Sequence, residues 1–424
     1  MDWLKKGPPL EDLISGSKDE RKGKRPRAAL IIPTYKSNDQ LLKHISALAA
    51  QQKKEFDIIT VCGKDDEYIT CPGWASILQV REKGKHGSAG AFYIGELAAF
   101  AEGYEEIVLA DCDLVPQSPD LMGKLLDFDE NPFRIPRLVY GRDKPIDGLI
   151  IHHYGAMKKE VFDKVGVTYF PFYSGGEDLE LMERILQRGF RPRVVDAIVW
   201  HPKRVPLALS PGYDLYNYQR GILEYLIMRG KLLAAWRFCI FNLSHAAVYF
   251  LAGRAANADI FFRAVWRGSG MSMFSESDAP ANVLPPQAGN PAAEIFDSEN
   301  PVPGRRIGQG SALDWILQRT GFLWDYLLSL HRYTGSVLLR GSSRWTDLPV
   351  LLLAGSAYLE NEGTKYVLFQ ERGKIIRAAG AFAALLALPF IFAFAAFLVL
   401  RGMILARVHG IEAVGYGPQG LKPH

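Results

Sequence analysis

Val108-Leu-Ala-Asp-Cys-Asp-Leu-Val115 is a short apolar run that delivers two carboxylates at its end. Side chains alternate along an extended strand, so Asp111 and Asp113, two residues apart, point the same way if the strand runs on through them. Two carboxylates on one face repel each other unless a cation, a proton or a basic partner stands between them. A divalent metal is the economical answer, because hard cations such as Mg²⁺ and Mn²⁺ take oxygen ligands and share them with substrate phosphates. The plainer reading is a strand that ends in a polar turn, helped by Pro116 and Pro119. The neighbouring segments decide between them.

Upstream, Ala28-Ala-Leu-Ile-Ile32 reads as a buried strand stopped at Pro33. A polar loop from Thr34 to Asp39 follows, then Leu41, Leu42, Ile45 and Leu48 at helical spacing. Phe56-Asp-Ile-Ile-Thr-Val61 is the next strand and Trp74 to Val80 another, while Glu96 to Glu102 is a helix leading into the strand Ile107 to Ala110. Strands alternating with helices predict an α/β fold, a mainly parallel sheet with helices on both faces. Ligands of such sheets bind beyond the carboxyl ends of the strands. The loops after Ile32, Val61 and Ala110 therefore share one crevice, which sets Asp111 and Asp113 beside Thr34 and Tyr35.

Three further stretches carry chemistry. Gly84-Lys-His-Gly-Ser-Ala-Gly-Ala-Phe-Tyr-Ile-Gly95 has small residues at Gly87, Ser88, Ala89 and Gly90 that let backbone approach a ligand, with a helix beginning just after to offer N–H groups to phosphate. A turn needing positive φ explains Gly87 and Gly90 equally well. Phe170-Pro-Phe-Tyr-Ser-Gly-Gly-Glu-Asp-Leu-Glu-Leu-Met-Glu-Arg-Ile-Leu186 puts Glu177 and Asp178 in the first turn of a helix, where acids complement the dipole. The aromatics and glycines just before them make a wall and a close-approach backbone, as an acceptor pocket requires, and a carboxylate there can take a proton from a hydroxyl. Pro192-Arg-Val-Val-Asp-Ala-Ile-Val-Trp-His201 is a strand that ends in an imidazole.

Composition bounds the rest. With 424 residues and 48% hydrophobic content the chain can build two or three structural units, and a formal net charge of +4 is too mild to indicate a nucleic-acid partner. Four cysteines, Cys62, Cys71, Cys112 and Cys239, lack the paired spacing of a zinc site or disulfide framework. No apolar run follows the charged N-terminus, so no cleavable signal peptide is expected. Residues 1–27 read as a polar tail ending in a basic run. Residues 231–270 read as interfacial or packing helices, 271–310 as a linker rich in Pro, Ala and Gly, and 311–360 as aromatic amphipathic helices. Within 374–408, Ala378 to Leu400 holds no charge and is long enough for a transmembrane or re-entrant segment, with Pro389 at its middle. The expected localisation is at a membrane, with the catalytic domain on the cytoplasmic face.

Ile31-Ile-Pro-Thr-Tyr35, Gly87-Ser-Ala-Gly-Ala-Phe92, Asp111-x-Asp113, Gly176-Glu-Asp178 and Trp200-His201 follow one another in the order and approximate spacing of a known pattern. Over residues 28–230 the chain resembles family 2 inverting glycosyltransferases of the GT-A fold, most of all bacterial galactofuranosyltransferases and rhamnosyltransferases. The resemblance implies that Asp111 and Asp113 hold Mn²⁺ or Mg²⁺ against a nucleotide diphosphate, with His201 completing the shell. Pro33, Thr34 and Tyr35 would line the nucleotide pocket, Gly87 to Gly90 would approach the diphosphate or donor sugar, and Arg220 would stand near phosphate. Asp178 would be the general base, assisted by Glu177. The donor would be a UDP- or dTDP-linked sugar and the acceptor a lipid-linked or cell-surface glycan at a membrane. Two readings stand beside it: transfer directly to a polyprenyl phosphate, and a non-catalytic sugar-binding protein of the same fold. The chain departs from the family after its second strand, where Val61-Cys62-Gly63-Lys64 occupies the place of a base-reading acid and Asp65 and Asp66 come slightly later.

Overall fold

In the computed structural model the described residues are 8–23, 26–35, 37–140, 145–147, 151–170, 172–202, 212–251, 255–270, 287–288, 294–297, 336–340, 356–361, 364–369 and 374–408. Those up to 202 form one compact unit and those from 212 a second.

The first unit opens with α1 (Leu10–Leu13) and β1 (Ile14–Glu20), then β2 (Ala28–Thr34), α2 (Asn38–Leu48), β3 (Phe56–Cys62) and β4 (Ile77–Glu82). It continues with α3 (Gly87–Ala101), β5 (Glu106–Ala110), β6 (Val115–Pro116), α4 (Leu121–Leu126), β7 (Phe133–Tyr140) and β8 (Ile146–Asp147). It ends with β9 (His153–Lys158), α5 (Lys159–Val165), α6 (Glu177–Gln187) and β10 (Arg193–His201). One ten-stranded sheet runs β1-β4-β3-β2-β5-β9-β7-β10-β6, with β8 on β7. The pairs β4/β3, β3/β2, β2/β5 and β7/β10 are parallel; β9 lies antiparallel between β5 and β7.

The expected α/β architecture follows from alternation along the central strands. Ala29, Ile31, Ile59, Val61, Ile107 and Leu109 face one core, where Phe92, Ile94 and Ala98 of α3, Phe162 of α5 and Leu181 and Ile185 of α6 cover them. Ala28, Leu30, Ile32, Ile58, Val108 and Ala110 face the other, beneath Leu41, Ile45 and Leu48 of α2 and Leu121 and Leu125 of α4. Each fully buried Ile or Leu contributes about 1.5–3 kcal/mol over exposure, so both faces hold the sheet.

Two stretches differ from expectation. Residues 14–20, expected within a polar tail, form β1, which pairs antiparallel with β4 from Ile14↔Glu82 to Glu20↔Ile77. Apart from Ile14, which packs on the core, their side chains are small or polar, so the ladder is the main tie. The helix expected from Glu96 begins at Gly87, because Phe92, Tyr93 and Ile94 are buried and extend the apolar face backwards.

The second unit contains α7 (Gly212–Met228), α8 (Leu232–Leu251), α9 (Ala255–Gly268) and α10 (Lys374–Val408). Leu215, Tyr216, Ala246, Ala258, Ile260, Phe261 and Ala264 form its helical core. The α10 helix runs continuously through Pro389, and its Pro389–Val408 stretch is long and apolar enough to cross a membrane. Phe390, Phe397, Leu400 and Ile404 on it are all more than half exposed. Trp236 stands edge-on to Phe392 and donates its Nε1–H to the Phe392 carbonyl at 3.2 Å, and the Arg401 guanidinium lies over Trp266. A five-stranded sheet, β11 (Gln287–Ala288), β12 (Glu294–Asp297), β13 (Ser336–Arg340), β14 (Ser356–Asn361) and β15 (Thr364–Phe369), runs in the order β11-β15-β14-β13-β12. Thus β13 and most of β14 replace helix within 311–360, and β11 and β12 fall inside the expected linker. Most of 271–310 and of 311–360 lies outside the described residues.

Candidate active site

The carboxyl ends of β2, β3 and β5, the first residue of β9 and the last of β10 meet at one edge of the sheet in the first unit. Asp111 leaves β5 with its N–H donated to the His152 carbonyl at 2.8 Å. Its Oδ2 stands 3.4 Å from Nε2 of His153. Because β6 turns back onto β10, with Val115 opposite Trp200, Asp113 is brought to His201, Oδ2 to Nε2 at 3.8 Å. The two imidazoles lie next to each other, ring centroids 4.9 Å apart. Two carboxylate–imidazole pairs thus stand side by side, the imidazoles largely buried and the carboxylates about a third exposed.

His153 was not expected here. Read as an all-parallel sheet, the chain offers only strand ends at the ligand edge; antiparallel β9 brings a strand start there instead, opposite Ala110. The His152-His153 doublet is the only signal that pointed to it.

The glycine-rich stretch and the acidic helix start are joined directly. Gly87 has φ 68°, and a Cβ on it would stand 1.9 Å from the Tyr173 carbonyl oxygen, so only glycine lets α3 begin against the 172–176 loop. The Ala89 N–H also points to that oxygen, at 3.4 Å, and is therefore engaged by protein. The Ser88 hydroxyl donates to Glu177 Oε1 at 2.5 Å. Glu177 Oε2 is buried without a hydrogen-bond partner. Burial, and then the neighbouring Asp178 charge, push the Glu177 carboxyl well above the usual carboxylate range, and Asp111 adds to the push. Gly176, at φ 93°, sets the turn into α6. Asp178 is only half-buried, and its Oδ1 accepts the Leu179 N–H at 2.8 Å. Of the two adjacent carboxyls, it is the one open to solvent.

On the other side of Asp111, Thr34 ends β2 with its Oγ1 buried and without a hydrogen-bond partner. Pro33, half-buried in the same strand as Thr34, pairs with Val61 of β3. Tyr35 is half exposed and packs over Gly63, where a Cβ would meet its ring at 2.9 Å. The turn after β3 folds Asp66 back: its N–H donates to the Gly63 carbonyl at 3.0 Å and its Oδ2 accepts the Gly63 N–H at 3.1 Å. The late-arriving acid thereby stands at the end of β3 beside Tyr35. Arg220 belongs to the second unit, where it is buried in α7, 3.8 Å from Glu224 one turn on.

Among the described residues, no three His, Cys, Asp or Glu side chains are grouped so as to hold one metal ion. By donor type alone, the two carboxylate–imidazole pairs offer the oxygen and nitrogen atoms that a divalent cation takes.

No family model and no curated protein matches this chain. Among solved structures it is similar to a mannosyltransferase from Pyrobaculum calidifontis in complex with GDP-Man and Mn²⁺, at 16% identity and a TM-score of 0.34 over 63% of this chain and 79% of that one. It is similar also to TarS of S. aureus in complex with UDP-GlcNAc, at 14% identity and a TM-score of 0.39 over 58% of this chain and 81% of that one. A third is the catalytic domain of Drosophila β1,4-galactosyltransferase 7 complexed with xylobiose, at 18% identity and a TM-score of 0.29 over 39% of this chain and 63% of that one.

Proposed function

We propose that this chain is a membrane-associated, GT-A-type inverting glycosyltransferase that moves a sugar from a nucleoside-diphosphate donor to a hydroxyl of a lipid-linked or cell-surface glycan. The observation that carries the reading is the Ser88–Glu177 hydrogen bond, which joins two of the five motif segments, with Asp111 of a third close enough to act on Glu177 by its charge. The nucleobase would lie between Tyr35 and Asp66, whose carboxylate would accept an imide N–H of uracil or thymine. Asp111 and Asp113, with His201, would hold Mn²⁺ or Mg²⁺, which when bound neutralises charge on the leaving diphosphate. Burial and the neighbouring Asp178 charge favour the protonated form of Glu177, and it braces the loop through Ser88. Asp178, facing solvent, takes the proton of the acceptor hydroxyl as that oxygen attacks the anomeric carbon from the side opposite the leaving group. One displacement inverts the centre, and no covalent nucleophile is required. The apolar, exposed face of Pro389–Val408 supports attachment to a membrane, and the catalytic domain is read as lying on its cytoplasmic side.

The test is a panel of nucleotide sugars offered to the purified protein with Mn²⁺, scored for release of the nucleoside diphosphate. Turnover of one donor, lost in Asp178→Asn while donor binding persists, is expected. Full turnover in Asp178→Asn removes the base role and favours an acceptor that is already ionised, such as a polyprenyl phosphate. Unchanged donor affinity in Asp113→Ala with Mn²⁺ present contradicts the metal site.

A further inference from the structure

Three consecutive residues at the start of β9 are held from three directions. His152 is buried and stacks on Phe92 of α3 with ring centroids 3.7 Å apart, in the layer shared with α6. Tyr154 is fully buried in the opposite layer, with Leu41 and Ile45 of α2. Its hydroxyl is hydrogen-bonded to Nε2 of His44, itself fully buried on α2. Between them His153 reaches the sheet edge, facing Asp111 and His201.

The backbone is unusual at the same point. Tyr154 is the only non-glycine residue with positive φ among the described residues, at 68°. The ladder slips there too: Leu109 pairs with Gly155 and Ala110 with His153, so Tyr154 is the extra residue of a β-bulge. A bulky residue persists in the left-handed region only where its surroundings over-determine it, and bulges commonly re-aim side chains beside active sites. Here the over-determination is visible. The ring is enclosed, the hydroxyl is bonded, and the preceding His152 carbonyl holds the Asp111 N–H.

We propose that the buried His44–Tyr154 pair is a positioning device, locking the β9 bulge so that His153 presents its imidazole to Asp111. Neither side chain lines the crevice; Tyr154 holds the bulge that carries His153, and His44 also approaches the backbone of Asp111 and Cys112. The orientation of His153 stands on geometry alone, whereas its consequence for metal binding rests on the function proposed above.

The test uses the full chain in three forms: wild type, Tyr154→Phe, and the double variant His44→Phe/Tyr154→Phe. The His153 ring resonances, assigned by their loss in His153→Gln, are followed by NMR without metal. Affinity for Mn²⁺ alone is measured from the electron-spin signal of the free ion. Tyr154→Phe is expected to move the His153 resonances and to weaken Mn²⁺ binding by about tenfold or more, as for other groups that orient a ligand. The double variant removes both members of the bonded pair together; it is expected to recover most of the melting temperature lost in Tyr154→Phe but neither the resonances nor the affinity. Unmoved His153 resonances in Tyr154→Phe overturn the proposal, as does their recovery in the double variant together with stability. If the wild type takes up no Mn²⁺, the metal reading fails, and the resonances still decide the positioning role.

Discussion

Replacing Gly87 with alanine probes the join on which the proposed site depends. A Cβ there would stand 1.9 Å from the Tyr173 carbonyl oxygen and 2.7 Å from its carbon, and the residue sits at φ 68°. Both obstacles are backbone, so no change of rotamer relieves them. The left-handed conformation costs an L side chain about 1–2 kcal/mol, and wedging a methyl into packed space about 1–3 kcal/mol more. The stiffer unfolded chain returns about 0.4–1 kcal/mol. The net expectation is a loss of roughly 3 kcal/mol, or about 6–12 °C in Tm for a unit of this size. Gly84→Ala is the control: its Cβ would meet only the His86 ring, at 3.0 Å, a side chain that can move, and φ is not in the left-handed region. That variant should stay within about 0.5 kcal/mol of wild type. Thermal unfolding followed by circular dichroism reads both. A Gly87→Ala protein as stable as Gly84→Ala would refute the claim that α3 is seated against the 172–176 loop.

Burial raises the Glu82 carboxyl from 4.5 to about 8. Between those values the folded chain keeps a proton that the unfolded chain has released, so stability falls as pH rises through the window. Glu82→Gln, neutral throughout, should therefore gain on wild type by a few kcal/mol above the window and show no such gain below it, a comparison made with urea midpoints. Arg184 pairs with buried Glu180 at 2.8 Å and donates to the Val167 carbonyl at 2.8 Å; Arg184→Met should cost about 3–5 kcal/mol, and Glu180→Leu added to it should recover most of that loss in the same denaturation assay. Phe397 lies in the middle of Pro389–Val408 and is half exposed. If that face meets lipid, Phe397→Arg should carry a penalty of about 2.5–3.5 kcal/mol and reduce co-flotation with liposomes, whereas a water-facing position would tolerate the change.

The central strands were legible because they are buried on both faces. Ala28–Ile32, Phe56–Val61 and Ile107–Ala110 are nearly continuous apolar runs, and their alternation with helical segments indicated a parallel sheet with two helical layers. The Glu177 helix was legible too, from the glycine break and the spacing of Leu179, Met182, Ile185 and Leu186, although Leu179 is exposed and Leu181 lines the core in its place. β1 was hidden because Ile14-Ser-Gly-Ser-Lys-Asp-Glu20 has no apolar period; its contribution is largely a ladder on β4, to which side-chain patterning is blind. His153 was hidden because strand direction is not written in composition, and β9 becomes recognisable only through its antiparallel register with β5. β13, Ser-Val-Leu-Leu-Arg, is a short leucine run that suits helix or strand equally, and its β-ladders with β12 and β14 decide it.

The strand order also sets a timetable for synthesis. β2, β3, β4 and β5 pair among themselves once Ala110 has emerged, but β5 keeps an open edge until β9 arrives, and His201 follows roughly ninety residues after Ala110. At about 5–20 residues per second that delay lasts some 5–18 s. Until β9 brings His153, the nascent chain carries an unpaired apolar edge, and Asp113 waits for His201 through the rest of the delay. The half-made sheet thus exposes β5 before either carboxylate–imidazole pair exists, and the second pair forms only when β10, the last strand of this sheet to be synthesised, is laid down.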